Sequence, residues 1–298
     1  MANDLDVGRL RLLREVGLRG SIAGAARSVG VTPSAVSQQL AVLERETGTP
    51  LLDRSPRGVL LTGAGELLAA RAAAVIELLA ATSAELDRLS GSVAGTVRIA
   101  SVASAAASVV SAAVSALRVS APGIEASVVA VEPDRGIAML LTGDVDLAVV
   151  DEYDFVPLAL PDSAVVAQLD VEPLVVVRPA GRFPRRTDLG ELAGEDWVMP
   201  PEDAACGRAV RAACRIAGFE PRVRWETDDM LLLAKAVAAG HGVAVLPRRS
   251  VAVDAAPVSV GLLRDPAPTR RLLTVARASG AARSAVAEVL AALALAAG

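Results

Sequence analysis

The chain is organised around residues 32–48, which read TPSAVSQQLAVLERETG. Thr32 is suited to cap a helix, and Pro33 costs nothing at the first helical position because its missing N–H would be unpaired there. Gly48 can end the helix in a left-handed conformation. Apolar side chains recur at spacings of four and three, at Val36, Leu40 and Leu43. The sequence therefore predicts a helix with defined ends and one buried face.

The outward face of this helix, near its N-terminal end, carries small uncharged groups. They are Thr32, Pro33, Ser34, Ser37 and Gln38. Such groups can approach a phosphate or a base edge without desolvating a charge, which is typical of a recognition helix in a major groove. Residues 21–30 predict a shorter helix just upstream, followed by a tight turn at a glycine. The pair forms a helix-turn-helix, although an ordinary helical hairpin has the same pattern.

Two short extended segments follow, in residues 51–62, around a Ser-Pro-Arg-Gly turn. This pattern predicts a wing. Arg54 and Arg57 at its tip would face backbone phosphate or a minor groove, where a guanidinium is favoured. The alternative for both residues is a solvated surface arginine.

The pattern of residues 5–66 is specific as a whole. It includes Ser21, Ala25-Ala26, residues 32–40, Leu43-Glu44, residues 48–54, Arg57 and residues 61–66. Together these residues resemble the N-terminal signature of the LysR-type transcriptional regulators. The family usually has an aromatic residue where Ile22 stands and Leu-Phe where Leu51-Leu52 stand, but both departures keep an apolar residue at a core position. The resemblance implies a one-component regulator that binds double-stranded operator DNA.

Length and charge are compatible with such a protein. A chain of 298 residues exceeds one typical core and indicates two or three domains. Residues 1–62 contain eight arginines and six acidic residues, which gives a net charge of +2. Because the whole chain has a net charge of −4, residues 63–298 carry −6. A mildly basic N-terminal domain (residues 1–62, called the head) joined to an acidic remainder suits a protein that binds DNA through one small part. The N-terminus is acidic and lacks the features of a signal peptide, so we expect a cytoplasmic protein.

A long helix is predicted from Ala64 to Leu89. Its apolar seam runs through Leu68, Ala72, Val75, Leu79, Thr82, Leu86 and Leu89 over three heptads. This seam indicates a coiled coil, although a long helix packed on its own domain gives the same pattern. The resemblance favours dimerisation here, in a homodimer or homotetramer, with Leu68, Val75, Leu79 and Leu86 as the contact residues. The expected domains are a winged helix-turn-helix (1–62), a linker helix (63–90) and an effector-binding domain (95–298).

Beyond residue 95, strands alternate with helices, which predicts an α/β fold with parallel strands. The uncharged interval between Arg98 and Arg118 is rich in Ala and Ser and breaks into a strand, a turn and a helix, so we expect no membrane span. The resemblance implies a two-lobed domain like the periplasmic binding proteins. Lobe I would comprise residues of about 95–160 and 270–298, and lobe II about 165–266. The chain would cross between the lobes at 153–165 and return at 266–271.

A ligand in such a domain sits at the carboxyl ends of parallel strands, where helix N-termini favour anions. The candidate effector-binding residues are Ser101, Ser104, Val131, Glu132, Met199, Pro200 and Thr227. The two serines favour a ligand with an anionic group such as a carboxylate. In contrast, Glu132, Asp151 and Asp228 near other strand ends would favour an amine. An amino acid would satisfy both, so the ligand class stays open.

Nothing in the sequence forms a catalytic constellation, a phosphate-binding loop or a metal-binding cluster. His241 is the only histidine, in a Gly-rich helix-to-strand turn. Cys206 and Cys214 lie eight apart in a predicted helix, about 12 Å along its axis, which exceeds the separation that a disulfide tolerates. We therefore expect buried thiols, no metal, no cofactor and no enzymatic activity.

The favoured interpretation is a regulator in which an effector shifts the population of lobe geometries and so changes the spacing of the DNA-binding heads. RNA polymerase would be a further partner if the protein is an activator. One alternative is a DNA-binding protein whose C-terminal domain is a ligand-free oligomerisation scaffold. Another is an enzyme or solute-binding protein that carries an incidental helix-turn-helix.

Overall fold

Capping side chains set the ends of the first three helices in the computed structural model, which describes residues 5–55, 58–89, 93–161, 164–181, 184–251, 257–264, 267–281 and 283–298. These helices are α1 (Val7–Arg19), α2 (Ile22–Val29) and α3 (Pro33–Thr47). Asp6, Ser21 and Thr32 accept hydrogen bonds from first-turn N–H groups. A left-handed glycine ends each helix. The predicted helix-turn-helix is therefore formed by local side-chain chemistry.

The three helices share one small core. It contains Leu10, Leu13, Val16, Ala25, Ala26, Val36, Leu40, Leu43, Leu51, Leu52 and Ala72. Ile22 packs against this core, so both departures from the LysR pattern keep their apolar roles. The wing is an antiparallel hairpin of β1 (Leu52–Ser55) and β2 (Gly58–Leu61). Glu44 of α3 holds its start, because one carboxylate oxygen accepts the N–H groups of Leu51 and Leu52 at 2.8 and 3.1 Å.

Helix α4 (Gly63–Leu89) follows the wing and is 27 residues long, about 40 Å at the usual helical rise. It packs against α1 at its N-terminal end. Gly65 is required there, because a Cβ atom would lie 2.1 Å from the carbonyl oxygen of Leu51. The helix thus begins on the N-terminal domain and continues beyond it without a break.

The remaining chain alternates strands and helices. The strands are β3 (Gly95–Ser101), β4 (Ile124–Ala130), β5 (Leu147–Tyr153), β6 (Ala164–Pro179), β7 (Arg186–Thr187), β8 (Asp196–Met199), β9 (Arg222–Glu226), β10 (Ala244–Pro247), β11 (Val258–Leu263) and β12 (Thr269–Arg277). The helices are α5 (Ala103–Ala105), continued by a π-helical turn (Ala106–Val110) into α6 (Ser111–Ser120), then α7 (Pro133–Thr142), α8 (Ala205–Ile216), α9 (Met230–Ala238), α10 (Ala278–Ala281) and α11 (Ser284–Ala297).

Two lobes share strand β6. In lobe I the strand order is β4-β3-β5-β12-β6, with β3, β4 and β5 parallel and β12 antiparallel to both of its neighbours. In lobe II the C-terminal part of β6 pairs with β10 and β11, and β11 pairs with β7. Strands β8 and β9 form a parallel pair beside β10, through a bridge between Trp197 and Val243. The predicted mixed α/β, two-lobed architecture is confirmed.

The first crossing between the lobes differs from the prediction. Residues 164–173 pair with β12 and belong to lobe I, whereas the sequence placed lobe II from about residue 165. The strand changes partners at Pro173, and the next N–H, from Leu174, bonds the carbonyl of Pro268 on the returning chain. A proline is tolerated at this point because it has no N–H to leave unpaired. The partner strand lies about a hundred residues away, so the pairing was not readable from local sequence.

The helical run Ala103–Ser120 is, among the described residues, the one helix long and apolar enough to cross a membrane, with a mean hydropathy of 1.4. Its apolar face, formed by Val109, Val110, Ala113 and Leu117, is buried in the core of lobe I. It packs there against α11. Its apolar composition is thus explained by a place in the lobe I core.

Candidate functional site

The side chains predicted to contact DNA lie together at the N-terminal end of α3. Thr32, Pro33, Ser34 and Gln38 are exposed, and Ser37 is partly exposed. The hydroxyls of Thr32 and Ser34 are 3.0 Å apart, while Thr32 also caps the helix. The opposite face of α3 is buried in the head core. This arrangement presents a small polar surface on a firmly packed helix.

The two arginines of the predicted wing tip are described less fully. Arg54 lies in β1, opposite Val59 of β2, and Arg57 lies outside the described residues. Their contact with DNA stays a prediction.

A row of large apolar side chains is exposed along α4. Val75 is 41% exposed, Leu79 50% and Leu86 61%. Leu68, predicted as part of the same seam, instead packs against the core of the head. It does so because α4 begins by packing on α1. The exposed part of the seam therefore starts at Val75, and a stripe of this kind indicates a surface that another chain covers.

A cleft lies between the two lobes at the carboxyl end of β5. Lobe I contributes Val102, Ala103, Ser104, Glu132, Asp151 and Tyr153, and lobe II contributes Pro200, Ala204, Ala205, Cys206, Asp228, Met230 and Ser250. Its cavity is about 60 Å³. Ligand sites usually measure roughly 300–1,000 Å³, so the lobes must move apart to admit all but the smallest ligands.

Three of the seven predicted effector-binding residues line this cleft: Ser104, Glu132 and Pro200. Four do not: Ser101, Val131, Met199 and Thr227. The hydroxyl of buried Ser101 donates to the carbonyl of Val102, and Met199 is fully buried in the lobe II core. Val131 packs beside the core under α7, and the hydroxyl of Thr227 accepts the N–H of Asp229. The prediction treated all strand-end residues alike, but successive side chains of a strand point to opposite faces.

Arg270 lies behind the cleft, against the lining residues Ser104 and Asp151, and was not predicted as a site residue. It is 1% exposed on β12, and its guanidinium donates to Glu172 at 3.0 Å and to the hydroxyl of Ser104 at 2.6 Å. A third contact, at 3.4 Å, reaches Asp151, which also accepts a 2.8 Å hydrogen bond from Tyr153. Burial opposes the charge of Arg270, but these neighbours raise its pKa above the usual value. The network joins β5, β6 and β12, the strands where the lobes meet.

The side chains that face the cleft make it acidic. Glu132, Asp151 and Asp228 line it, and no basic side chain is among the lining residues that the structure describes. Burial raises the pKa of Glu132, and the nearby charge of Asp151 raises it further. The backbone amide of Ala205, at the start of α8, opposes this rise. The protein's own carboxylate therefore lies near the helix N-terminus that an anionic ligand would use.

The cleft also contains a thiol. Burial, followed by the charge of Asp151, raises the pKa of Cys206 to about 12. Burial likewise raises the pKa of Cys214 to about 12. Both residues lie in α8, eight positions apart, so they are separated by about 12 Å along the helix axis.

Comparison with known proteins adds two family matches. Residues 7–66 match the bacterial regulatory helix-turn-helix protein model of the lysR family, and residues 90–297 match the LysR substrate binding domain. A probable hydrogen peroxide-inducible genes activator of Streptomyces viridosporus is 31% identical over 297 residues, covering 96% of this chain and 92% of that protein.

Solved structures share the fold. A full-length OxyR variant from Pseudomonas aeruginosa superimposes with a TM-score of 0.73 at 20% identity, covering 98% of this chain and 95% of the other. Full-length CbnR complexed with its target DNA gives a TM-score of 0.57 at 19% identity, covering 99% and 100%.

Proposed function

The chain belongs to the LysR family of bacterial transcriptional regulators, and from this premise we propose that a ligand in its interlobe cleft controls how α3 and the wing engage an operator. It is a DNA-binding regulator with an effector-binding domain. The observation that carries the proposal is a capped, well-packed recognition helix joined by one continuous helix to a domain whose interlobe cleft is lined by three acidic side chains. We further propose that it acts in the cytoplasm and has no catalytic activity of its own.

Operator recognition is assigned to Thr32, Pro33, Ser34, Ser37 and Gln38, with Arg54 and Arg57 on the backbone. Selection of genomic fragments by the purified protein tests this assignment directly and yields the operator. No enrichment over random fragments would contradict it. Assembly through Val75, Leu79 and Leu86 would place two heads on one site, as a homodimer or within a homotetramer, and RNA polymerase would be a partner if the protein activates.

Gln38→Ala is expected to weaken binding to the selected operator by about 1–3 kcal/mol, because a bidentate amide contact to a base edge is lost. Binding to random DNA should change much less. Fluorescence anisotropy at one fixed salt concentration measures both. Equal losses on operator and random DNA would mean that Gln38 does not read bases. As the contrasting control, Arg54→Ala should weaken both DNAs alike and reduce the salt slope.

The effector is proposed to be a small molecule with an amine, such as an amino acid or a simple amine. Glu132, Asp151 and Asp228 line the cleft, and Ser104 is the one predicted serine that lines it with them. Ser101, on which a carboxylate site was predicted, does not line the cleft. A carboxylate alone would meet three acidic side chains, so its desolvation would not be offset.

Calorimetric titration with amines, amino acids, carboxylates and neutral aromatics is expected to give binding only for compounds with an amine. Asp228→Asn should weaken the best of them by about tenfold, the value of one charged hydrogen bond. Because burial raises the pKa of Glu132, its carboxylate becomes protonated at a higher pH than an ordinary glutamate, and amine affinity should fall as the pH drops through that raised pKa. Binding of carboxylates alone, or unchanged affinity in Asp228→Asn, would contradict the amine class. A complete absence of ligands would favour the scaffold alternative.

A second candidate is a peroxide response, because Cys206 lines the cleft and the Streptomyces relative is named a probable hydrogen peroxide-inducible genes activator. Peroxide oxidises the thiolate form of cysteine. A pKa of about 12 opposes that form, and the two thiols are too far apart for a disulfide within an intact α8. These observations favour ligand binding over thiol oxidation as the signal.

A further inference from the structure

The DNA-binding head contacts lobe I of its own chain where the end of α1 meets the end of α7, and Arg19 makes an ion pair there. Arg19, the last residue of α1, donates from its two terminal nitrogens to the two carboxylate oxygens of Asp144, at 2.9 and 2.5 Å. Asp144 lies in the turn between α7 and β5. Both residues are half-buried. This paired geometry is directional, so it depends on how the two elements are placed.

Neighbouring groups hold both partners of the pair in position. The hydroxyl of Thr142 donates to Asp144 at 2.7 Å, and Glu15 lies 3.5 Å from the Arg19 guanidinium. The hydroxyl of Ser28, in α2, donates to Glu15 at 2.6 Å, which ties the pair to the helix-turn-helix. The hydrogen bond from Arg19 lowers the pKa of Asp144, so its carboxylate is charged at neutral pH. The contact between Arg19 and Asp144 is therefore supported by hydrogen bonds and charges on both sides.

Helix α7 connects this contact to the cleft. Glu132, at the N-cap of α7, lines the cleft, and Asp144 follows the other end of the helix, after Gly143. Ten helical residues span about 15 Å between them. The inner face of α7, with Gly136, Ile137 and Leu140, is buried against the lobe I sheet. A helix packed in this way shifts as a unit.

We propose that Arg19 and Asp144 dock the DNA-binding head on lobe I, and that α7 transmits a change at Glu132 to this docking contact. The inference rests on the proposed function of the cleft as the effector site. A ligand amine that pairs with Glu132 and shifts its carboxylate displaces the N-terminal end of α7. The opposite end then moves relative to Arg19, which changes the placement of α1 and the adjacent recognition unit.

A double-mutant cycle on operator affinity tests this route in the full chain without any ligand. Arg19→Gln is expected to weaken operator binding about three- to tenfold, because a freed head loses preorganisation. Glu132→Gln removes the charge of this side chain from the cleft end of α7. Sites this far apart normally contribute additively, so a combined effect that departs about threefold or more from the product of the single effects indicates coupling. Additive effects would overturn the transmission through α7.

Asp188→Asn is the matched control. Asp188 forms an exposed ion pair with Arg264 in lobe II, at 3.2 Å, and should combine additively with Arg19→Gln. Hydrogen exchange gives an independent measurement: Asp144→Asn should speed amide exchange in residues 16–20, at the end of α1. Unchanged exchange there would overturn the docking contact itself. If Glu132→Gln weakens amine binding but its effect on operator affinity adds independently to that of Arg19→Gln, the effector site is supported and only the transmission through α7 is contradicted.

Discussion

Leu79→Asp is expected to dissociate the assembled protein and to remove most of its operator affinity. Leu79 is 50% exposed on α4, in the middle of the apolar stripe between Val75 and Leu86. In a dimer, the substitution would bury a carboxylate without a partner, at a cost of several kcal/mol, roughly the range for unpaired buried charges. A single head would then read one half-site. Sedimentation gives the mass, and anisotropy on the selected operator gives the affinity.

Ala74→Asp is the control for this experiment. It adds the same charge at an exposed position of α4 that lies off the seam, so the protein should stay dimeric. A Leu79→Asp protein that remains a stable dimer would rule out the seam as the contact. Dissociation of both variants would instead point to a loss of helix stability.

Arg270→Met is expected to have the largest effect on folding. Methionine fills a similar volume but leaves Asp151 and Glu172, both nearly buried, without their cation. Breaking a buried ion pair by removing one partner costs about 3–5 kcal/mol. The melting temperature of the full chain should fall accordingly in thermal unfolding. The deficit should shrink on acidification, because burial already raises the pKa of Asp151 and losing Arg270 removes the charge that opposes this rise.

The direction of this pH dependence follows from the linkage between proton binding and folding. A carboxyl whose pKa is raised by folding supports stability while it is protonated, and this support is lost as the pH rises through the folded-state pKa. Arg271→Met supplies the control, because the adjacent Arg271 forms a more exposed pair with Glu152 and should cost only about 0–1 kcal/mol. Equal destabilisation by the two substitutions, or a deficit that grows at low pH, would contradict a buried charge network.

The head could be predicted closely because its signals are local. The predicted helix between Thr32 and Gly48 is observed as Pro33–Thr47, with both end residues acting as predicted. Caps and turn glycines act within one helical turn, and the apolar spacing reports the buried face. The same holds for α4, where Leu68 and Ala72 depart from the predicted seam because both pack into the core of the head.

The effector cleft could be predicted only in part. Strand ends were located well enough to include Ser104, Glu132 and Pro200, but strand register decides which side chain at an end faces the cleft. In the sequence, Arg270 is a charged residue near the start of a strand with no sign of its partners. Only the pairing of β12 with β5 and β6 places it beside Asp151 and Glu172.

The sequence by itself determined the family, the helix-turn-helix, the long linker helix and the α/β class, because each is written in residues a few positions apart. Tertiary structure alone decided the crossing at Pro173, the acidic character of the cleft and the contact of Arg19 with Asp144. Each of these joins residues that are far apart in the chain, 125 positions in the last case. Local sequence propensity cannot predict contacts between residues so far apart. They form only when strand pairing and helix packing bring the segments together.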